Sequence, residues 1–511
     1  MAGISRQPLL LLLVVLVTSS SFSLVAAPSK AATASSCRAT VPQCLAKKKT
    51  PKKKGSSAPT RGFGSAPAAA AKKKASTSQT PEEASWREFE AWLSKQGCMV
   101  DAVELADCGG GLRGVRTTRT VKAGEELMRI PRKIILDEER AERGVVGNLW
   151  KESKEPLAAY AKIALQILYE KRLGDASEVA PYIALLPTPD ELEGFAPAAT
   201  WTDEELAMTE CGKLIADARR LRSRQSGDGH PALQPGALAA KWAALSLPGE
   251  APTPEELAWA VTVVTSRAYG AEEDGVRLSL MLPMVDMANH MGAADVTHTV
   301  KGLEADGESF VVLAKETIKK GEQVFLSYGG LPNLMLLNQF GFVLPGLATD
   351  FGLVQCESLV SEDSLADRAS LSAVAEDGLL MRDGGGADAA ISCFQPAGPQ
   401  LQAALLALAE ADAIPAILLS DEEEDGDGAA DSVAEARATV AYKALLQRTL
   451  DGYSTTAAED RAALAEEGGT SLPPRTQLAM QFRLSQKVLL NTALATASSG
   501  GKLVGKSRGF S

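Results

Sequence analysis

The sequence predicts an α+β fold, in which a strand-rich body is split by a helical insertion and followed by an all-helical domain. Three observations predict it. Residues 115–131 and 277–327 alternate apolar and polar side chains between turn signals, the period-two mark of half-buried strands. Residues 150–270 carry apolar residues at three- and four-residue spacing instead. From about residue 350 onward the chain is Ala/Leu-rich and keeps the helical spacing. A chain of 511 residues is long enough for two or three domains.

The N-terminal segment differs in kind from the rest. Residues 9–17 form an apolar run too short to span a bilayer as a helix. Arg6 precedes it and Val25-Ala26-Ala27 follows, so 1–27 reads as a cleavable signal. Residues 28–81 are rich in Ala, Ser, Thr, Pro and Lys, as in a transit peptide. The pairing resembles the bipartite leader of algae with complex plastids, and the expected location is the plastid stroma. The alternative is a secreted protein with a basic linker. The Lys runs at 47–49, 52–54 and 72–74 also admit a nucleic-acid arm or a nuclear signal.

The first 80 residues hold no acidic residue and thirteen Lys or Arg. All 64 acidic residues therefore face 40 basic ones over 81–511, a net of -24. A body this acidic argues against non-specific nucleic-acid binding. Seven cysteines, with no CxxC pair and no Cys/His cluster at zinc spacing, suggest reduced and mostly buried thiols. No segment of the body reads as a membrane span, so no membrane is expected as a partner of the mature form, and a monomer is expected.

Taken in order, the elements are these. A short amphipathic helix is expected around Trp86–Leu93. The glycines at 109–111 and 114 lead into Val115–Val121, and an Ala123-Gly124 turn leads to Glu126–Pro131, a pair of strands. Helices are expected over Ala158–Leu173, Thr202–Ser223 and Pro254–Tyr269, the last two opened by a Thr with acids in the first turn. The Gly- and Pro-containing loop 224–236 reads as mobile. Strands return at Arg277–Met287, Thr297–Lys301, Ser309–Ala314 and Gln323–Ser327, with a hairpin turn at Ala305-Asp306-Gly307. Helices follow at Gln400–Ala411, Ser432–Leu450 and Thr476–Ala495, and 420–428 is an acidic loop.

Two polar islands stand out among the strands. Tyr328 ends an apolar run, with Gly329-Gly330 behind it, and Asn289-His290 breaks the run that begins at Leu282. The histidines are His230, His290 and His298, and no GxSxG elbow accompanies them, which disfavours Ser-His-Asp hydrolysis. Asp286 and His290 stand four apart but lack a third ligand in reach, which disfavours a metal site. The run at 109–114 opens into strand-like alternation, not a helix, so it is no dinucleotide fingerprint.

Gly111-Leu112-Arg113-Gly114, Thr265–Tyr269, Leu282–His290, Gly321–Gly329 and Phe340–Val343 stand in this order along the chain. The series resembles the SET-domain protein methyltransferases, most of all the branch holding the plant Rubisco large-subunit lysine methyltransferase and the actin-histidine methyltransferase. The match covers 85–345 by motif, and 346–500 by position and helical composition. It implies a SET domain over 82–345 with a helical insertion at about 145–270. A helical substrate-binding domain over 346–500 and a tail at 501–511 would follow. The implied cofactor is S-adenosyl-L-methionine, with no metal.

By the same resemblance, Tyr328 is the catalytic tyrosine. Gly111, Leu112 and Arg113 form the cofactor loop, and Asn289 and His290 hold the cofactor mostly through backbone groups. Arg267 stands near its carboxylate, where a cation suits an anion. Asp286 touches cofactor or substrate. Phe340 lines the target pocket where the plant lysine enzyme has a tyrosine, a departure that leaves the target residue and the number of methyls open. Such a site needs no metal and no acylating nucleophile, because it must only align donor and neutral amine. The expected function is methylation of a protein lysine, with plastid proteins such as Rubisco's large subunit or an aldolase as candidate substrates. The alternatives are a histidine target, or a catalytically weak SET-like scaffold that binds a partner.

Overall fold

The computed structural model describes residues 81–109, 111–194, 197–273, 276–291, 299–303, 307–347, 349–355, 379–381, 387–392, 405–406, 409, 430–465 and 472–499. The leader, His298, Ala305, Asp306, Cys356, Cys393, most of 400–411, the acidic loop 420–428 and the tail lie outside these residues.

The body opens on helix α1 (Pro81–Lys95), with Glu82 and Glu83 in its first turn and Lys95 in its last. Phe89 and Leu93, four apart on one face, are fully buried. Two strands follow, β1 (Val103–Asp107) and β2 (Arg113–Thr117), paired as an antiparallel hairpin. The glycine-containing loop joins them. The next strand, β3 (Glu126–Pro131), does not pair with β2. Both expected strands are thus present but in different sheets; the first ends at Thr117, and Val121 beyond it makes an isolated bridge to Ile318. The partner missed for β2 is β1, whose sequence VELAD is too short and acidic to announce a strand.

After α2 (Glu138–Arg143), the insertion comprises α3 (Ala159–Leu173), α4 (Ala180–Ile183), α5 (Pro189–Gly194), α6 (Asp203–Ala207), α7 (Gly212–Gln225), α8 (Pro235–Ala244) and α9 (Pro254–Arg267). Thr202 and Thr253 both form complete capping boxes, with Glu205 and Glu256. The helix expected over 202–223 is broken at Glu210, whose φ of 51° is left-handed. The loop at 224–236 is built of two 3-10 turns and the start of α8. His230 is buried there: its Nδ1 faces the Ala232 amide at 3.2 Å and its Nε2 the Glu155 carbonyl at 3.0 Å. Leu233 packs onto Gly227, so the segment is anchored where Gly and Pro had suggested mobility.

After α9, Tyr269 leaves the helix and begins strand β4 (Tyr269–Glu273), which pairs with β5 (Val276–Leu280). The strand expected to reach Met287 ends at Leu280. Met284 has a φ of 73° and turns the chain into a 3-10 segment, Val285–Met287. A left-handed residue in a buried, unbranched side chain is a local strain next to the site. Then come β6 (Asn289–His290), β7 (Thr299–Leu303), β8 (Ser309–Ala314) and β9 (Gln323–Leu326). One sheet has the order β1-β2-β9-β6 and another β3-β8-β7. The β6–β9 pairing is parallel, with Asn289 opposite Phe325 and His290 opposite Leu326. A parallel pair needs a crossover, and here the β7–β8 hairpin supplies it. Two polar islands far apart in sequence thereby become neighbours.

Helix α10 (Asn333–Phe340) leads out of the body. Beyond it lie β10 (Phe351–Gln355), β11 (Leu379–Met381) and β12 (Ala387–Ser392), a sheet of order β10-β12-β11. The region after 346 is thus not helical throughout. Short strands in an Ala-rich context carry no period that separates them from helix. The helices expected at Ser432–Leu450 and Thr476–Ala495 are present as α11 (Ala430–Asp451) and α13 (Pro474–Ser498), and between them stands α12 (Ala457–Ala465), which the sequence reading did not name.

Helix α13 docks on the insertion. Phe482 and Ala479 join Trp201, Leu206, Leu214, Leu334 and Leu337 in one apolar cluster. Around it Arg475 pairs with Glu205 at 2.7 Å and Arg483 with Glu210 at 2.9 Å. Asp460 accepts from both Arg483 (2.6 Å) and Lys487 (2.7 Å), with the Asp460 and Lys487 side chains each 1% exposed. Burial alone would push the Asp460 carboxyl up, but Arg483 and Lys487 outweigh it and hold it below the usual range. Removing one charge from such a cluster strands the others. Asp460→Asn is expected to cost about 3–5 kcal/mol, read by denaturant unfolding. The wild-type contribution is present above about pH 4 and is lost as pH falls through the depressed value.

Candidate active site

Tyr328 stands at the end of β9, and Gly329 behind it adopts a φ of 120° that a side chain would rarely tolerate. Its hydroxyl donates to the Ala288 carbonyl at 3.0 Å. Its amide stands 3.1 Å from His290 Nδ1. The same nitrogen lies 3.2 Å from the Leu326 carbonyl. One proton cannot serve both contacts. Nδ1 accepts from the Tyr328 amide when the ring proton is on Nε2, and donates to Leu326 when it is on Nδ1. The two rings stack at 4.9 Å and 22°.

Phe340 completes the wall. Its ring lies 4.9 Å from that of Tyr328, and Phe342 stands 6.2 Å from Phe340 and 6.0 Å from His290. Asn333 fixes the turn that presents both phenylalanines. It is fully buried, its Nδ2 donates to Asp350 (2.7 Å) and the Leu344 carbonyl (3.0 Å), and its Oδ1 accepts from the Leu344 amide (2.8 Å).

The glycine loop meets this wall through Asn289, whose Nδ2 donates to the Arg113 carbonyl at 3.2 Å. Gly114 makes that approach possible. A Cβ on it would lie 2.6 Å from Cys108 Sγ, 2.7 Å from Asn289 Nδ2 and 2.9 Å from Gln323 Nε2. Gly111 has a φ of 81°, and Leu112 is exposed at the loop tip.

Arg267 ends α9 and donates from Nη1 to the Asp286 main-chain oxygen at 2.9 Å. Its guanidinium is 4.0 Å from the Asp286 carboxylate, whose side chain is 1% exposed. Burial raises the Asp286 carboxyl, against the pull of Arg267, the Tyr182 hydroxyl and Arg113. Burial also lowers Arg113, and the nearby Arg267 adds to that effect. Arg267 thus stands beside the buried Asp286 carboxylate, and Arg113 feels the charge of both. The excess of positive charge suits an anionic ligand group.

All nine residues expected at the site therefore fall on segments that meet here or border it. Tyr328, His290 and Phe340 share the aromatic wall, and Asn289 joins it to Gly111–Arg113. Arg267 and Asp286 form the charged corner. The reading from sequence took in Phe342 only as part of the run Phe340–Val343, as core and pocket wall, without singling it out. It missed the Ala288 carbonyl, which no side-chain motif can signal. It also missed Tyr182, whose hydroxyl donates to Asp286 Oδ2 at 2.8 Å. A buried tyrosine on an insertion helix gives no local sign of its partner. Among the described residues no group of three His, Cys, Asp or Glu could hold a metal ion.

Burial pushes the Tyr328 hydroxyl up to about 12, while Arg267 draws it down and Asp286 raises it further. At neutral pH it is therefore an oriented dipole, not a phenolate base. It follows that loss of the Tyr328 proton should impose no limb on a pH–rate profile below about pH 11. An ionisation with a midpoint near 8 that vanishes in Tyr328→Phe would contradict this.

Residues 112–329 match the SET domain and residues 400–490 match the Rubisco LSMT substrate-binding domain. The actin-histidine N-methyltransferase of Homo sapiens is 25% identical over 431 residues, covering 80% of this chain and 67% of that protein. That of Drosophila melanogaster is 28% identical over 326 residues, covering 58% of this chain and 56% of that protein. Among solved structures, the SET domain of LSMT bound to lysine and AdoHcy aligns with a TM-score of 0.59 at 19% identity, over 82% of this chain and 92% of that one. Rubisco LSMT bound to AdoMet aligns with a TM-score of 0.57 at 20% identity, over 82% and 92%. The chain thus carries a SET domain followed by a Rubisco LSMT substrate-binding domain, and along most of its length it is similar to SET-domain protein methyltransferases with that arrangement.

Proposed function

We propose that this chain transfers a methyl group from S-adenosylmethionine to a lysine side chain of a protein. The observation that carries the proposal is the Tyr328 hydroxyl bonded to the Ala288 carbonyl inside an aromatic wall of His290, Phe340 and Phe342. The bond commits the hydroxyl proton, so the oxygen's remaining lone pair is available to accept from an amine N–H. An accepted N–H fixes the direction of the amine lone pair. The aromatic wall excludes water and accommodates an alkyl chain ending in an amine or ammonium.

The residues present fit the cofactor. Arg113 and Arg267 hold excess positive charge for its carboxylate, and the loop packed on Gly114 and Asn289 is the place for its nucleoside part. When bound, S-adenosylmethionine supplies an electrophilic methyl on a sulfonium. The chain's own work is to bind, to orient the acceptor and to keep Tyr328 neutral. A lysine ammonium would give its proton to solvent on entering the pocket, and the Tyr328 hydroxyl would then hold the neutral amine with its lone pair towards the donor's methyl group.

A histidine target is the second reading, and the matches to actin-histidine N-methyltransferases over 80% of the chain favour it. Acid-base chemistry separates the two. A lysine amine ionises near about 10.4 and an imidazole near about 6.5. For a lysine target, kcat/KM should climb steadily from pH 7 to 10. For a histidine target it should level off above about pH 7.5. Amino-acid analysis of the labelled product decides directly: methyl-histidine alone would overturn the lysine reading.

The proposal also puts the enzyme in a plastid, with a plastid protein such as Rubisco's large subunit or an aldolase as its substrate. The acid-free, Lys-rich stretch after the apolar run supports this. A fluorescent fusion of residues 1–80 tests it, and accumulation outside plastids would refute it.

A further inference from the structure

Tyr182 lies on α4 of the insertion, more than a hundred residues from Asp286, and is fully buried. Its ring stacks on Phe89 of α1 with centroids 6.4 Å apart. A phenylalanine would fill that space without burying a hydroxyl, which is costly unless bonded. The hydroxyl has one recorded partner, Asp286 Oδ2 at 2.8 Å. Asp286 is buried too, and its other oxygen, Oδ1, has no hydrogen-bond partner.

The nearest cation to this carboxylate is Arg267, at 4.0 Å from Oδ2. That is too far for a hydrogen bond. Arg267 donates instead to the Asp286 main-chain oxygen at 2.9 Å. A buried carboxylate beside a guanidinium would ordinarily turn to form a close, charge-assisted pair. Here the tyrosine hydroxyl occupies the oxygen that faces the arginine.

We propose that Tyr182 is a positioning residue of the methyl-donor site: by holding Asp286 Oδ2 it keeps the carboxylate off Arg267 and leaves that guanidinium for the donor's own carboxylate. The inference rests on the methyltransferase reading above. It gives the insertion a part in donor binding, because α4 carries the tyrosine that sets the arginine, with Phe89 of α1 packed against its ring. With Phe at position 182, the carboxylate is released to pair with Arg267, and the donor's carboxylate loses its partner.

Two ligands isolate this effect. S-adenosylhomocysteine carries the amino-acid carboxylate, and 5′-methylthioadenosine lacks it. Each is titrated calorimetrically into the full chain as wild type, Tyr182→Phe, Asp286→Asn and the double variant. Tyr182→Phe should weaken S-adenosylhomocysteine by about 10- to 100-fold, the loss of one charge-assisted bond. It should leave 5′-methylthioadenosine within about twofold. In the Asp286→Asn background, where no carboxylate competes for Arg267, the same change should cost under about threefold. Equal loss for both ligands would reduce Tyr182 to a packing residue and overturn the proposal. No loss for either ligand would overturn it as well. A wild-type chain that binds neither ligand would refute the methyltransferase reading itself.

Discussion

Tyr328→Phe should lower kcat by about 10²- to 10³-fold while leaving the affinity for S-adenosylmethionine within about threefold. The split follows from where the hydroxyl points. It donates to the Ala288 carbonyl, on the face shared with Phe340, whereas the charged corner belongs to Arg113, Arg267 and Asp286. Removing it takes away the group that orients the acceptor and leaves the donor's contacts in place. Phenylalanine keeps the ring and its stack on His290, so the fold should lose no more than about 1 kcal/mol for the missing bond. Steady-state kinetics and a binding titration on the same preparation separate the two effects. A variant that loses donor affinity and turnover together would place the hydroxyl on the donor instead.

Gly114→Ala is the second large effect, and it should act on the donor, not on turnover. The added methyl would stand under 3 Å from Cys108, Asn289 and Gln323 at once. Relief by one neighbour still leaves two clashes, from side chains on three different segments. Asn289 must move, and its bond to the Arg113 carbonyl goes with it. Donor affinity should fall about tenfold or more, with an overpacking cost of about 1–3 kcal/mol. Calorimetry with S-adenosylhomocysteine and a melting curve measure both. Unchanged affinity would mean that the loop bends freely and that Asn289 does not organise it.

What could be read from sequence was local. The capping boxes at Thr202 and Thr253 are each written within four residues, and both form. Strand β8 alternates cleanly, with Phe310, Val312 and Ala314 inward, and appears with the expected bounds. Pairing is not local. Nothing in Val115 names Val324 as its partner, and nothing in Asn289 names Phe325. The loop at 224–236 was misread because Gly and Pro mark turns whether or not the turn is buried. Only the packing of His230 and Leu233 distinguishes the cases. The site was legible where a polar residue interrupts an apolar run, as at Tyr328 and Asn289-His290. It was illegible where a polar group hides in core composition, as Tyr182 does, or where the working atom is a main-chain carbonyl, as at Ala288.

The most direct measurement is transfer of labelled methyl from S-adenosylmethionine to protein by the full chain, with wild type, Tyr328→Phe and Gly114→Ala run side by side over a range of donor concentrations up to saturation. Wild type should label a protein acceptor. Tyr328→Phe should bind donor but transfer at about a hundredth of the rate or less. Gly114→Ala should recover much of its transfer as donor concentration rises. A wild-type chain that binds no S-adenosylmethionine, or a Tyr328→Phe variant that transfers at the wild-type rate, would contradict the assignment of this site to methyl transfer.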